Sequence, residues 1–197
     1  MAASKPQPSE LSTLPFATRR AFSAWLAKHH ASAPGVWVKL AKAKSGIESI
    51  TYPEAVEVAL CWGWIDGQSR RIDETWFVQR FTPRRARSMW SKINRDRVTA
   101  LIAAGKMKPA GLAEIERAKQ DGRWDRAYDS PSRATPPDDL QAALAKNRKA
   151  AAFFAKLDAT NRYAVLHRVQ TATTPETRAR RIARFVAMLA RHEKLHE

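Results

Sequence analysis

The sequence has a single cysteine, Cys61, among 197 residues, which excludes an internal disulfide framework and a zinc site built from several cysteines. It has only seven glycines and none of the G-x-x-x-x-G-K-[ST], G-x-S-x-G or H-E-x-x-H motifs. No apolar run approaches the roughly 20 residues that span a bilayer, and no apolar signal-peptide core follows Met1. We therefore expect a cytoplasmic protein with no transmembrane segment, no cofactor and no metal site.

Acidic residues are also scarce: the chain has 19 aspartates and glutamates and 35 lysines and arginines, which gives a formal charge of +16. Such an excess favours polyanionic partners such as nucleic acid, anionic lipid or phosphorylated ligands. Two regions hold most of the excess, since residues 67–97 carry +6 and residues 141–197 carry +8. Residues 129–140 carry −2 and include three prolines, which predicts a linker between two parts of the chain.

Hydrophobic periodicity predicts helices and short strands in the first part of the chain. Residues 16–30 form an amphipathic helical pattern, and Thr51-Tyr-Pro-Glu54 has the form of a capping box before a second, apolar helix. Gly67 and Asp73-Glu74 are predicted turns between antiparallel strands. The predicted strands cover residues 36–41, 64–66, 68–72 and 76–82.

Later helices are expected to begin near Ser91, at Pro109 and at Thr174, and everything past the linker has helical spacing. The predicted fold class is therefore α+β, with a small antiparallel sheet and packed helices followed by an all-helical C-terminal unit. The predicted segments are a flexible N-terminus at 1–15, an α+β domain at 16–128, the Pro-rich linker at 129–140 and a helical unit at 141–197.

The stretch 62–95 interleaves tryptophans with arginines. Aromatic rings offer stacking faces and guanidinium groups offer bidentate phosphate contacts, so a groove for a polyanion is one interpretation. The other, which we favour, makes the tryptophans core residues and the arginines a solvated rim. The candidate ligand-binding residues are Trp62, Trp64, Asp66, Arg70, Arg71, Asp73, Arg80, Arg84, Arg85, Trp90, Lys92 and Asn94.

Arg80 is the sharpest case, since strand alternation places it on the same face as Trp76 and Val78. If buried, it needs an acidic partner, for which Asp66 and Asp73 are the candidates. Such a pair stabilises the sheet or lines a ligand pocket, and we favour the structural role. The two carboxylates could also act together as acid and base in a small-molecule enzyme, although nothing in their spacing specifies this.

Three other features favour structural interpretations. Cys61 lies in an apolar helix end and is expected to be a small buried hydrophobe. His192 and His196 have metal-ligand spacing on a helix but lie in the last residues, so we expect them to be solvated. The basic helix around 177–184 could contact nucleic acid or an anionic membrane, but a packed helix with a charged outer face is favoured.

Residues 60–67, 79–85, 90–94 and 105–111 form a series of motifs in the first part of the chain. These motifs resemble the YdeI/OmpD-associated family, also called bacteriocin-protection proteins. The C-terminal run from Phe153 to Leu189 is similar to the helical region of that family. The resemblance implies a role in resistance to cationic antimicrobial peptides or bacteriocins, a link to a porin and a periplasmic location, and it brings no catalytic residues.

This chain departs from the family in lacking a secretion signal and in being strongly basic, so that direct capture of a cationic peptide would oppose like-charge repulsion. We therefore expect a non-enzymatic resistance factor that acts indirectly, through an anionic ligand or a protein partner. The alternatives are a nucleic-acid-binding protein that uses the stretch 62–95 and an enzyme with a pocket around Asp66, Asp73 and Arg80. The sequence leaves the ligand, the partner and the oligomeric state open.

Overall fold

A computed structural model of the chain describes residues 11–197, so most of the predicted flexible N-terminus lies outside the described residues. The described residues form helices and one four-stranded sheet, which confirms the α+β class. The strands are β1 (Thr13–Pro15), β2 (Val36–Ala41), β3 (Trp64–Arg71) and β4 (Trp76–Pro83). The helices are α1 (Arg19–His29), α2 (Tyr52–Cys61), α3 (Lys92–Ala103), α4 (Pro109–Gln120), α5 (Asp138–Ala145), α6 (Arg148–Lys156), α7 (Ala159–Gln170) and α8 (Pro175–Ala190).

The sheet has the strand order β1-β2-β4-β3. The β2–β4 and β4–β3 pairs are antiparallel, as predicted, but β1 pairs with β2 in parallel. The sheet is therefore mixed rather than purely antiparallel. Because helix α1 connects β1 to β2, the chain crosses over and returns to the sheet in the same direction.

Strand β3 is continuous where the sequence predicted two strands and a turn at Gly67. The register shifts between Asp66 and Ser69, so the extra residues form an irregularity within one strand. The carbonyl oxygen of Gly67 accepts a hydrogen bond from the side-chain amide of Gln79 at 2.8 Å. A side chain at position 67 would also bring a Cβ atom to 3.2 Å from Arg80 Nε, so a glycine suits this tight approach.

The structure divides into two compact units. The first comprises the described residues up to Ser88 together with Asp96–Gln120, and the second comprises Met89–Arg95 together with Asp121–Glu197. The segment 129–140 lies in the second unit, where α7 anchors Asp129: its carbonyl accepts a bond from the Tyr163 hydroxyl at 3.0 Å. Its role as a linker stays a prediction.

In the first unit, one face of the sheet forms a hydrophobic core with α1 and α2. Phe22 of α1 is fully buried and meets the Phe81 ring edge-on, with 5.6 Å between the ring centroids. The predicted capping box begins α2, since the Glu54 carboxylate accepts bonds from both the backbone N–H and the hydroxyl of Thr51. The residues that alternate with this core face, among them Trp37, Lys39 and Arg80, lie on the opposite face of the sheet.

In the second unit, α5 to α8 enclose a core that includes Leu140, Phe154 and Leu189. Helix α8 ends at Ala190, so the expectation that His192 and His196 lie on a helix is wrong. His192 has a left-handed backbone with φ of 59°, and this conformation ends the helix before the second histidine. Across the described residues, every helix falls short of the length and apolar character needed to cross a bilayer.

Candidate functional site

The predicted tryptophan- and arginine-rich stretch is shared between the two units. Its candidate residues up to Arg85 belong to the first unit, whereas Trp90, Lys92 and Asn94 belong to the second. Trp64 and Trp90 each expose only 1% of their surface. Burial of this extent leaves neither ring a face on which a ligand could stack.

The tryptophans that follow α2 support the fold of the first unit. Trp64 donates from Nε1 to the carbonyl of His30 at 3.1 Å and meets the Trp25 ring edge-on at 5.8 Å. Trp62 is half-buried, donates to Ser23 Oγ at 3.2 Å and lies 4.8 Å from the His30 ring. Their indole N–H groups are thus used inside the protein.

The three candidate residues of the second unit have local structural partners. Trp90 packs against Trp124 with ring centroids 5.2 Å apart. The Lys92 ammonium lies 2.9 Å from a carboxylate oxygen of Asp129. The Asn94 backbone N–H donates to Ser91 Oγ, which begins α3 as the sequence predicted.

The two candidate carboxylates lie at opposite ends of β3. Asp66 accepts a hydrogen bond from the Tyr52 hydroxyl at 2.7 Å, and burial together with this bond raises the pKa of Tyr52. Asp73 lies in the β3–β4 turn, where Oδ1 accepts from the backbone N–H groups of Thr75 and Trp76, and these bonds lower the pKa of Asp73. The two groups are therefore not placed to share a proton or a substrate.

The remaining arginines near the end of β4 and in the turn differ in exposure. The Arg84 side chain is buried, and its backbone N–H donates to the carbonyl of Gly63 at 3.0 Å. Arg85 is exposed. Arg71 forms an ion pair with Glu74, three residues along the chain.

Cations and tryptophans meet instead on the sheet face opposite the one that packs against α1. In the β2–β4 register, Trp37 lies opposite Arg80, and Lys39 lies opposite Val78. In the β3–β4 register, Arg70 also lies opposite Val78, so the side chains of three strands share one face. We call this surface the cationic sheet face, and it consists of Trp37, Lys39, Arg70, Trp76, Val78 and Arg80.

The tryptophan rings hold the cations of this face. The Arg70 guanidinium lies 4.5 Å from the centroid of the Trp37 ring, and that of Arg80 lies 6.0 Å from the same ring. The Lys39 ammonium lies 4.3 Å above the ring of Trp76. These distances fall within the range of cation–π attraction, which fixes the side chains without using their N–H donors.

Arg80 therefore has a different partner from the one predicted. It stacks on Trp37 and forms no ion pair with Asp66 or Asp73 in the part of the chain that the structure describes. Its Nε atom is buried and has no hydrogen-bond partner among the described residues. The sequence pattern placed Arg80 on the correct face but could not show that Trp37 of β2 lies directly opposite it.

The strand positions of the cationic sheet face carry no carboxylate among the described residues. Asp73 lies in the adjoining turn, and its pKa is lowered mainly by the backbone bonds from Thr75 and Trp76 and to a smaller extent by the charge of Lys39. Three cations thus share one sheet face with no acidic group at these strand positions among the described residues. Guanidinium and ammonium donors in this arrangement suit phosphate or carboxylate oxygens.

Trp37 and Lys39 were absent from the sequence-derived candidates. They precede Arg70 by more than thirty residues, and only the strand register brings the three together. The alternation of β2 did contain the information, since Val36 and Val38 occupy the core face and leave Trp37 and Lys39 on the other.

Comparison with known families gives two matches. Residues 14–114 match the domain of unknown function DUF8412. Residues 133–192 match the family described as Bacteriocin-protection, YdeI or OmpD-Associated, which confirms the predicted resemblance for the C-terminal region. No curated protein and no solved structure matches the chain. The cationic sheet face lies within the first matched region, and α5 to α8 lie within the second.

Proposed function

The chain belongs to the DUF8412 family through residues 14–114, and we propose that it is a bacterial factor in protection against bacteriocins, because residues 133–192 match the family described as Bacteriocin-protection, YdeI or OmpD-Associated. It acts indirectly, by binding an anionic ligand on the cationic sheet face. In this proposal it works as a binding protein in the cytoplasm and not as an enzyme.

One observation carries the proposal: Arg70, Arg80 and Lys39 lie on one sheet face, supported by tryptophan rings and without a carboxylate in their rows. Grouping like charges costs free energy in the unliganded protein, and an anionic ligand removes that cost. The stacking leaves the N–H donors of the exposed Arg70 guanidinium available for such a ligand, whereas the Nε donor of Arg80 is buried.

An indirect role follows from the sign of the charge. The chain carries a formal charge of +16, and a cationic bacteriocin approaching the sheet face would meet three of its positive groups together. Like-charge repulsion of this kind slows association and weakens binding. The ligand of the face is therefore an anion, and the protein affects sensitivity to bacteriocins through that anion or through a protein partner.

Nucleic acid is a second candidate, because the three cations come from three neighbouring strands. Successive phosphates along a single strand could contact them. Because Arg70, Arg80 and Lys39 already cover the tryptophan rings, bases would not stack on these rings directly. We therefore expect contacts to the phosphate backbone, little sequence preference and a steep dependence on salt.

The enzyme alternative has less support. Asp66 binds the Tyr52 hydroxyl at one end of β3, Asp73 closes the turn at the other, and Arg80 stacks on Trp37 between them. The three residues were proposed to line one pocket, which would require them to converge on a single reacting group. They are spread along the strand instead.

A complementation experiment tests the proposed role. A strain lacking the gene is challenged with a cationic bacteriocin while it expresses the natural protein, the sheet-face variant Lys39→Gln/Arg70→Gln/Arg80→Gln, or a control variant. The control is Arg148→Gln/Arg180→Gln/Arg184→Gln, which removes the same charge from exposed positions of the second unit.

We expect the natural protein and the control variant to restore survival and the sheet-face variant to fail. Unchanged survival of the strain that lacks the gene would contradict the protective role. Full rescue by the sheet-face variant would leave a protective role but remove the cationic sheet face from it.

A further inference from the structure

A separate cavity of about 390 Å³ opens in the first unit, away from the strand rows of the cationic sheet face. Helices α1 and α2 and the loop between α3 and α4 line it, with Arg20, Val58, Cys61, Leu101, Lys106 and Lys108 among the lining residues. We propose that this cavity binds a small organic phosphate, that is, a phosphate group attached to a short apolar body. The inference does not depend on the proposed function.

The charge of the lining indicates an anion. Arg19, Arg20, Lys106 and Lys108 contribute four cations, whereas Glu57 is the carboxylate of the lining. That carboxylate is already bound by the Arg19 guanidinium at 2.7 Å. Among the described residues Arg20, Lys106 and Lys108 form no ion pair, so their charge is available to a ligand.

The two helices that begin beside the cavity reinforce this charge. Neither α1 nor α4 has an acidic residue in its first turn, where a carboxylate would ordinarily stabilise the positive end of the helix dipole. Arg19 and Arg20 occupy the first turn of α1, and Lys108 immediately precedes α4. A bound phosphate would supply the negative charge that the sequence omits at both positions.

The inner part of the cavity is apolar. Val58, Cys61 and Leu101 line it, and each exposes less than a tenth of its surface. Ser23 adds a polar contact: its Oγ accepts from Trp62 Nε1, so its hydroxyl hydrogen is still able to donate to a ligand oxygen. An apolar interior beneath a cationic rim fits a ligand with both parts better than it fits inorganic phosphate alone.

The loop that carries the two lysines is fixed by the fold. Lys106 and Lys108 donate their backbone N–H groups to the carbonyls of Leu101 and Cys61 at 3.0 and 3.1 Å. Gly111 packs so closely that a Cβ atom there would lie 2.3 Å from the Cys61 carbonyl oxygen. The rim is thus held in place before any ligand binds, which reduces the entropy cost of binding.

The volume of the cavity indicates a different class of ligand from that of the cationic sheet face. About 390 Å³ lies within the range of roughly 300–1,000 Å³ that small-molecule sites occupy. A polymer could reach the rim but could not place its chain inside. The two surfaces therefore make separate predictions for a small phosphate ester and for a nucleic-acid strand.

Titration calorimetry with phenyl phosphate tests the proposal on the full chain. We expect phenyl phosphate to bind, inorganic phosphate to bind more weakly and phenol to show no binding. Lys106→Gln/Lys108→Gln should weaken phenyl phosphate binding by about tenfold or more, because two charge-assisted contacts are lost. Lys28→Gln/Lys44→Gln, which removes the same charge from the first unit outside the cavity, should bind as the natural protein does.

Cys61 gives a second measurement because it is the chain's only cysteine and lines the cavity. Phenyl phosphate should slow its alkylation by N-ethylmaleimide in the natural protein, and phenol should not. The sheet-face variant should keep both the binding and the protection. Equal affinity of the natural protein and Lys106→Gln/Lys108→Gln for phenyl phosphate, or binding that leaves Cys61 alkylation unchanged, would overturn the proposal.

Discussion

The two basic regions of this protein differ in what holds their cations. In the second unit, Arg178 of helix α8 forms a bidentate pair with Asp139 at 2.6 and 2.9 Å, and Arg191, which follows the helix, pairs with Glu193. On the cationic sheet face, Arg70 and Arg80 rest on the ring of Trp37 and have no carboxylate in their rows. The two regions look alike when only their charges are counted. The partners of the cations distinguish them: a cation paired with a carboxylate stabilises the fold, whereas a cation without one is open to a ligand.

The largest expected effect comes from removing the ring that supports two of the sheet-face cations. Trp37 is 9% exposed, and Trp37→Ala should lower the free energy of unfolding by about 3 kcal/mol through lost burial and an unfilled cavity. Chemical denaturation would measure this. Trp37→Phe retains an aromatic ring and should lose much less of the free energy of unfolding than Trp37→Ala. An equal loss in the two variants would show that the aromatic ring is not what stabilises this face.

The second effect concerns binding. At low salt, Lys39→Gln/Arg70→Gln/Arg80→Gln should bind a single-stranded oligonucleotide about 100-fold more weakly than the natural protein, because three phosphate contacts are lost. Fluorescence anisotropy with a labelled oligonucleotide measures the affinity, and thermal melting checks that the variant is folded. If Arg148→Gln/Arg180→Gln/Arg184→Gln weakens binding as much, the distinction between the two regions fails.

A smaller effect is expected from breaking the ion pair on α8. Arg178→Ala should destabilise the second unit by about 1 kcal/mol, since both partners are partly exposed and solvent screens their attraction. Hydrogen exchange in α8 would report the change. Arg70→Ala should leave the exchange of β3 amides nearly unchanged, because that arginine has no carboxylate partner to lose. Comparable losses in both would contradict the comparison.

The smallest effect is a dependence on pH confined to the second unit. Burial, and then the charges of Arg168 and Arg181, lower the pKa of His167. The unfolded chain therefore takes up the proton more readily, so stability is complete above the ordinary histidine pKa of about 6.5 and falls as the pH drops below it. Hydrogen exchange in α7 should show this loss, and His167→Gln should reduce it.

Oligonucleotide binding by the cationic sheet face should stay constant over the same pH range, because lysine and arginine remain charged throughout. A large change in affinity between pH 7.5 and pH 6, in the absence of unfolding, would show that a group outside this face governs binding.

Local patterns in the sequence predicted the local structure well. The capping box of Thr51 and Glu54, the proline that begins α4 and the threonine that precedes α8 act through neighbouring residues, so their signatures are contained in a few positions. The parallel pairing of β1 was not predicted, because its partner lies beyond α1 and the register is set by the tertiary fold.

The candidate site was harder to predict for the same reason. A stretch such as 62–95 gathers residues that are close in sequence, and simple alternation would place Trp64 and Arg70 on the same face of β3. The register shift between Asp66 and Ser69 changes the face, so Trp64 is buried in the core while Arg70 lies on the cationic sheet face. Trp37 and Lys39 join the site through strand pairing over a long separation. The cavity beside Cys61 likewise forms from three segments that no single motif connects.

The salt dependence of oligonucleotide binding tests the central claim most directly, because it counts the phosphate contacts. The logarithm of the binding constant against the logarithm of salt concentration should have a slope that is smaller by about 2 in Lys39→Gln/Arg70→Gln/Arg80→Gln, since each contact to a single strand contributes about 0.7. The slope of Arg148→Gln/Arg180→Gln/Arg184→Gln should match that of the natural protein. Equal slopes for all three proteins, or no binding by the natural protein at low salt, would contradict the assignment of the cationic sheet face.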